Sequence, residues 1–333
     1  MNPLTFIARR LGAAVVILVI LVAAMFTLSH LSHTDPAHAY LGAGASKSAV
    51  AAERAKLGLN LPITTQFFHY VGNLLHGNLG VSYRTRNPVT QDLAEYLPAT
   101  MELAFYALLL ALLLGLMLGV ASAGHWRGAR ILKFVMVSGA SAPLFLLALL
   151  GILIFYGHLG WLPASGRTSM PNPPTGPTGF LTLDALLAGR FNMLINALEH
   201  LLMPATVLAI GPAVSIGRVL RGSLVTVLRE DYIRTARSKG LRERAVLLRH
   251  ALRNSVGPAL SMTGLQAGLL LAGDVVVEQV FAWPGIGYYA AQSIPVGDFP
   301  AISGVTLVLG LGYVLINALV DILQRLADPR VRI

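Results

Sequence analysis

No cysteine occurs among the 333 residues, which excludes disulfide staples, thiol catalysis, iron–sulfur ligation and thiolate zinc sites together. Charge is scarce as well: 12% of residues are charged against 55% hydrophobic, and the mean hydropathy of +0.67 takes the chain out of the soluble globular class. Lys47, Lys56, Lys133 and Lys239 all follow residues other than glycine, so no phosphate-cradling P-loop is present. Neither an H-E-x-x-H zinc signature nor a G-x-S-x-G serine motif occurs. Nucleotide hydrolysis, zinc proteolysis and serine hydrolase chemistry therefore have no carrier in this chain.

What is present is a succession of long apolar runs. Leu11 to Leu31 carries no formal charge over 21 residues, and at about 1.5 Å per residue it covers roughly the 30 Å hydrocarbon core of a bilayer. A signal peptide would need a small-residue cleavage site after a shorter apolar core, so this segment reads as a retained first span that also directs insertion. Further runs at Leu103 to Ala123, Phe134 to Tyr156, Leu201 to Gly217, Pro258 to Trp283 and Pro300 to Val320 make six spans in all. An even number puts both termini on one side. Of the 25 Lys/Arg, eighteen fall at the N-terminus, in the second-to-third connection, in the fourth-to-fifth connection and at the C-terminus, which places those segments in the cytoplasm. These charges flank spans and do not line a soluble face with interleaved aromatics, which speaks against a nucleic-acid partner.

The first outer loop, Ser32 to Pro98, is some 67 residues long and alternates apolar and polar residues at helical spacing, as in Phe67, Tyr70, Val71 and Leu74. It predicts short amphipathic helices, with Phe67, Phe68 and Tyr70 serving either a docking platform or an anchor in the membrane interface. The second outer loop is Pro/Gly-rich, with a more ordered start at LGWLPASGR. Pro204, Gly211 and Pro212 predict an interruption in the fourth span, either along a path or as an ordinary kink. His30, His33 and His38 cluster in sequence and read as surface histidines.

The fourth-to-fifth connection carries ten Lys/Arg between Arg218 and Arg253. Asp231 to Lys239 reads as a helix closed by Gly240, the residue suited to a left-handed cap. A second helix is expected from about Arg242 to Asn254, with Arg242, Arg249 and Arg253 on one face and Ala245, Leu248 and Leu252 beside them. From periodicity alone this layout fits either a docking element or a helix lying on anionic headgroups. Four acids sit at or inside span ends: Glu102, Asp274, Glu278 and Asp321. Asp274 and Glu278, four residues apart, share a face near the outer end of the fifth span; they either attract a peptide amino terminus or cap neighbouring loops. Asp321 is placed for an ion pair with Arg325. An intramembrane aspartyl protease would need Gly-x-Gly-Asp and Tyr-Asp motifs, and only Ala272-Gly273-Asp274 is present. A six-span receptor or scaffold leaves the basic loop unexplained.

Arg234-Thr235-Ala236, followed after three residues by Gly240, resembles the EAA loop of ABC-importer permeases, with Arg234 and Thr235 where Glu and Ala usually stand and a late closing Pro258. YIRTARSKGL…HALRNS…P is similar to the version in the dipeptide/oligopeptide permease family. LPATMELAF at Leu97 to Phe105, LGWLPASGR at Leu159 to Arg167, VVVEQVFAWPGIG at Val275 to Gly287 and the terminal DPRVR extend the resemblance over nearly the whole chain. LGLNLPITTQFFHYVGNLLHGNLG resembles the first outer loop of the B-type subunit. The resemblance implies a type I importer permease fold, divided into residues 1–98 (first span and outer loop) and 99–333 (a five-span core with a coupling loop at 228–258). It implies a non-catalytic subunit in a bacterial cytoplasmic membrane, paired with a homologous permease, two ATPases that use ATP and Mg, and an extracytoplasmic solute-binding protein. Asp231, Tyr232, Arg234, Thr235, Ala236, Lys239, Gly240, Arg249 and His250 would meet the ATPase. Glu102, Asp274, Glu278, Phe281, Trp283 and Pro284 would lie near the pore or its outer gate. The implied cargo is a di- or oligopeptide, with glutathione, nickel complexes and haem as alternatives.

Overall fold

The computed structural model describes residues 3–31, 35–42, 44–123, 128–129, 131, 134, 138, 141–174, 176–271 and 275–327, with the backbone alone at 3–11, 321 and 323–327. Among the described residues there are helices and no strand, only an isolated bridge between Val81 and Pro88. The chain is an all-α polytopic membrane protein. Among the described residues four helices are long and apolar enough to cross a bilayer: Gly12–Leu31, Val89–Ala123, Phe191–Val227 and Phe299–Val320. They belong to α1 (Pro3–Leu31), α5 (Val89–Ala123), α8 (Phe191–Val227) and α14 (Phe299–Ala327).

Between α1 and α5 the described residues form three short helices, α2 (Pro36–Leu41), α3 (Lys47–Lys56) and α4 (Ile63–Leu75). Each of the first two is started by a side chain: Asp35 accepts from the amide of Ala37, and Ser46 from that of Ala49. The amphipathic reading of this loop holds.

α5 and α8 form the centre. Their close approach is permitted by Gly115 and Gly119, four apart on α5, where an added Cβ would stand 2.9 Å from Ile216 and 2.8 Å from Leu220. In the most apolar window of α8, 56% of the residues are buried, against 6% for α1, so α8 is the core helix and α1 lies at the periphery. α1 packs along α14, where Leu21 fills the space left by Gly310.

Three expectations are corrected. Pro204 and Pro212 do not interrupt the fourth span: α8 is continuous over 37 residues with both prolines inside it. The third span is not one helix from Phe134 to Tyr156. The chain bends at Ala142, as expected where a proline follows and disfavours helical geometry, and α6 (Leu144–Gly151) starts after Pro143 and continues as a π-helical turn over Ile152–His158. The fifth span does not begin at Pro258. α11 (Leu252–Leu271) carries that proline inside it, and α12 (Val275–Val280) ends before Trp283. Ser255, Ser261, Thr263 and Gln266 leave α11 more polar than the four helices named above.

Among the described residues there are also α7 (Leu181–Leu187), α9 (Asp231–Ser238) and α10 (Glu243–Ala245), the last running through a π-helical segment, Val246–Ala251, into α11. α13 (Ile286–Ser293) precedes α14.

Candidate functional site

Two clusters draw together the residues singled out in the sequence. The first is built on α9. Asp231 stands in its first turn and Arg237 in its last, matching the helix dipole. At its end Gly240 adopts φ +78°; its amide donates to the Arg237 carbonyl (2.9 Å) and the amide of Leu241 reaches back to Ala236 (3.4 Å), the paired bonds of a Schellman cap. Arg237 spans this turn with two bonds to Glu243, at 2.7 and 3.3 Å, and that hydrogen bond pushes the guanidinium pKa further up. Asn254 donates to the Tyr232 hydroxyl at 2.8 Å, which ties α9 to α11.

The buried side of α9 consists of Ile233 and Ala236, packed into one apolar cluster with Val246 and Ala251 and with Ala213, Ile216, Leu220 and Leu224 of α8. Ala236 is thus a packing residue, while Asp231, Tyr232, Arg234, Thr235, Lys239 and Gly240 face outward. Arg249 is exposed and His250 half-buried. The expected apolar stripe fails at Leu248, while Ala245 and Leu252 are half-buried and Leu252 packs on the cluster. A π-helical turn takes in an extra residue, so the buried positions run Val246, Ala251, Ser255 and Ala259, and Leu248 is exposed. Ile233 was missed in the sequence because the family motif frames it without marking it.

The second cluster unites three quoted motifs that are far apart in the chain. Glu102 of α5 is buried; it accepts from the Thr182 amide (2.8 Å) and hydroxyl (2.6 Å) and forms an ion pair with Arg167. Arg167 also donates to the Gly179 carbonyl at 3.0 Å and lies 5.7 Å from the Trp283 ring centroid. The Trp283 indole donates to the Ala99 carbonyl at 2.8 Å. One turn away, Glu278 accepts from the Thr100 hydroxyl (2.7 Å) and the Tyr288 amide (2.8 Å), and Thr100 accepts from the Ile286 amide (2.8 Å). Gly285 is required in this turn, since a Cβ there would collide with both Glu278 and Thr100.

Glu102, Glu278, Phe281 and Trp283 are therefore buried and bonded within the subunit, while Pro284 is half-buried and Ala282 stands exposed at φ 45° between them. Asp274 lies outside the described residues, as do His33 and the side chains of Asp321 and Arg325. Sequence reasoning quoted Arg167 and Thr100 inside motifs without giving them roles; Thr182 was not marked at all. Phe67 and Tyr70 pack on Phe26 of α1, with centroids 5.1 and 5.8 Å away, while Phe68 is 73% exposed. Among the described residues no group of three His, Cys, Asp or Glu side chains could hold a metal ion.

The family model described as binding-protein-dependent transport system inner membrane component matches residues 101–333, and the N-terminal model of the same transport-system membrane component matches residues 3–104. The chain is 45% identical over 310 residues to the probable D,D-dipeptide transport system permease protein DdpB of Escherichia coli K12, covering 92% of this chain and 91% of that protein. It is 38% identical to the dipeptide transport system permease protein DppB of Alkalihalophilus pseudofirmus and 40% identical to the di/tripeptide transport system permease protein DppB of Pseudomonas aeruginosa, in each case over 99% of both chains. This chain belongs to the family of inner-membrane components of binding-protein-dependent transport systems.

Proposed function

We propose that the chain is the B-type permease subunit of an ATP-driven importer of di- and oligopeptides. It pairs with a homologous permease and two ATPase subunits and receives cargo from an extracytoplasmic binding protein; ATP and Mg are used by the ATPases. The peptide cargo is supported by the names of relatives that align with nearly the whole chain.

The observation that carries the mechanism is the single apolar cluster joining α9 to α8 and to Ala111 and Ala123 of α5. The ATPase engages the outward residues Asp231, Arg234, Thr235 and Lys239, with Arg249 and His250 beside them. Its closure moves α9 as a rigid piece, and Ile233 and Ala236 deliver that motion to the α5–α8 pair. The Glu102–Arg167 cluster lies 21 residues up α5 from Ala123, about 31 Å at helical rise, so it sits at the other end of the span. There it makes α5, the segment around Arg167 to Thr182 and the turn at Trp283 one block, which reorients the outer gate when α5 moves. The third to fifth spans, with α6, α8 and α11, line the route.

Both termini and α9 lie in the cytoplasm and α2–α4 outside, with Phe68 presented to the binding protein. A cysteine placed at Ala45 reacts with an impermeant reagent from outside and one at Ser238 does not; the reverse pattern overturns this orientation. Purification of the tagged chain from its native membrane recovers the ATPases in stoichiometric amount, and recovery without them overturns the assembly.

A further inference from the structure

A half-open cavity of about 800 Å³ lies between the end of α1, α3, α4 and the start of α14, a volume in the range of small-molecule sites. Its floor is apolar, formed by Met25, Phe26, Leu79 and Phe299. Its charged lining is Asp35, Arg54 and Lys56: Asp35 and Arg54 face each other at 3.2 Å, while Lys56 is already paired with Glu53 at 3.5 Å. The acid is 20% exposed and the base 51%, so the pair is half in water and only weakly held.

The walls are fixed independently of that pair. Gln66 donates to the carbonyls of Leu59 (3.2 Å) and Leu61 (2.8 Å) and contacts His30 Nε2 at 3.1 Å. Tyr83 is held by its chain neighbours, since the Ser82 hydroxyl (2.5 Å) and the Arg84 amide (3.1 Å) both donate to buried Asp298. Burial, with the charges of Asp298 and Asp35, pushes the Tyr83 phenol pKa up, so its hydroxyl stays protonated at every physiological pH.

We propose that this cavity is a binding site for a short zwitterionic peptide, with Asp35 taking the ammonium terminus and Arg54 the carboxylate. A zwitterion is the ligand that replaces both members of the pair without leaving a charge uncompensated, and Arg presents the planar fork that suits a carboxylate. Phe26 and Phe299 offer the apolar surface for its side chains. Toward the membrane core, α1 and α14 close on one another where Leu21 fills the space at Gly310, which favours a compact peptide over a phospholipid. The site rests on the peptide-importer reading and deepens it: it would hold cargo between the binding protein and the route through the spans.

The test uses the assembled permease–ATPase complex in nanodiscs, without binding protein, and equilibrium binding of radiolabelled Ala-Phe. Wild type binds saturably; N-acetylation of the peptide and Asp35→Asn each weaken binding at least tenfold, and the acetylated peptide is indifferent to Asp35→Asn. Carboxyl amidation and Arg54→Gln behave as the corresponding pair. Asn keeps the cap on Ala37, and recovery of the intact complex on gel filtration checks assembly of each variant. Absence of saturable binding, or binding unchanged in both variants, overturns the site. So does native mass spectrometry that finds a phospholipid lost from both variants while Ala-Phe binding stands. ATP-driven uptake with the binding protein present, measured in parallel on wild type, separates failure of this site from failure of the importer reading.

Discussion

Glu102 and Arg167 stand 65 residues apart in the chain and form an ion pair whose acid side chain is 1% exposed and whose base is 17% exposed. A pair so far from water is costly to break from one side, because the remaining charge stays buried without its partner. Arg167→Ala should lower the unfolding free energy of the detergent-solubilised protein by about 3–5 kcal/mol. Replacing both members by Leu and Met should cost clearly less. A single-variant loss below about 0.5 kcal/mol, of the size seen for ordinary surface changes, would contradict the buried pairing.

Gly285 tests the neighbouring junction by volume alone. Gly285→Ala drives a methyl into Glu278 and Thr100, and the expected loss is about 1–3 kcal/mol or more, the range of overpacked cores. Gly312→Ala in α14 meets nothing within 4 Å and should leave stability unchanged or slightly raised. Thermal unfolding of both variants side by side decides it, and equal effects would sink the junction.

Gly240 tests the proposed coupling role of the turn after α9 by conformation alone, since nothing lies within 4 Å of an added Cβ there while its φ is +78°. Gly240→Val should insert normally yet strain the turn by about 1–3 kcal/mol and uncouple transport, while Gly240→Asn, which tolerates the left-handed region, should retain most activity. Binding-protein-stimulated ATPase activity and peptide uptake are the readouts. Wild-type values of both in Gly240→Val would refute the role assigned to this turn.

The sequence made the long apolar helices and the Gly240 turn legible because both rest on local rules: apolar length and the conformational freedom of one glycine. The buried face of α9 was not read, since Ile233 went unmarked and Ala236 was grouped with the outward residues, although the two stand at helical spacing. The next helix was misread because the π-helical turn at Val246–Ala251 changes the residue count per turn, and nothing in the composition signals that insertion. The bend before Pro143 was within reach of the rule for residues preceding proline. The pairing of Glu102 with Arg167 and Thr182 was not, because partners brought together by tertiary packing across 65 and 80 residues leave no periodic trace.

The most direct measurement of the central claim is uptake by proteoliposomes holding this chain with its partner permease and ATPases, supplied with binding protein and a labelled dipeptide. The account predicts ATP-dependent accumulation that requires the binding protein and is lost in Gly240→Val with the complex still assembled. Accumulation no greater than in ATP-free vesicles, or undiminished in that variant, would contradict it.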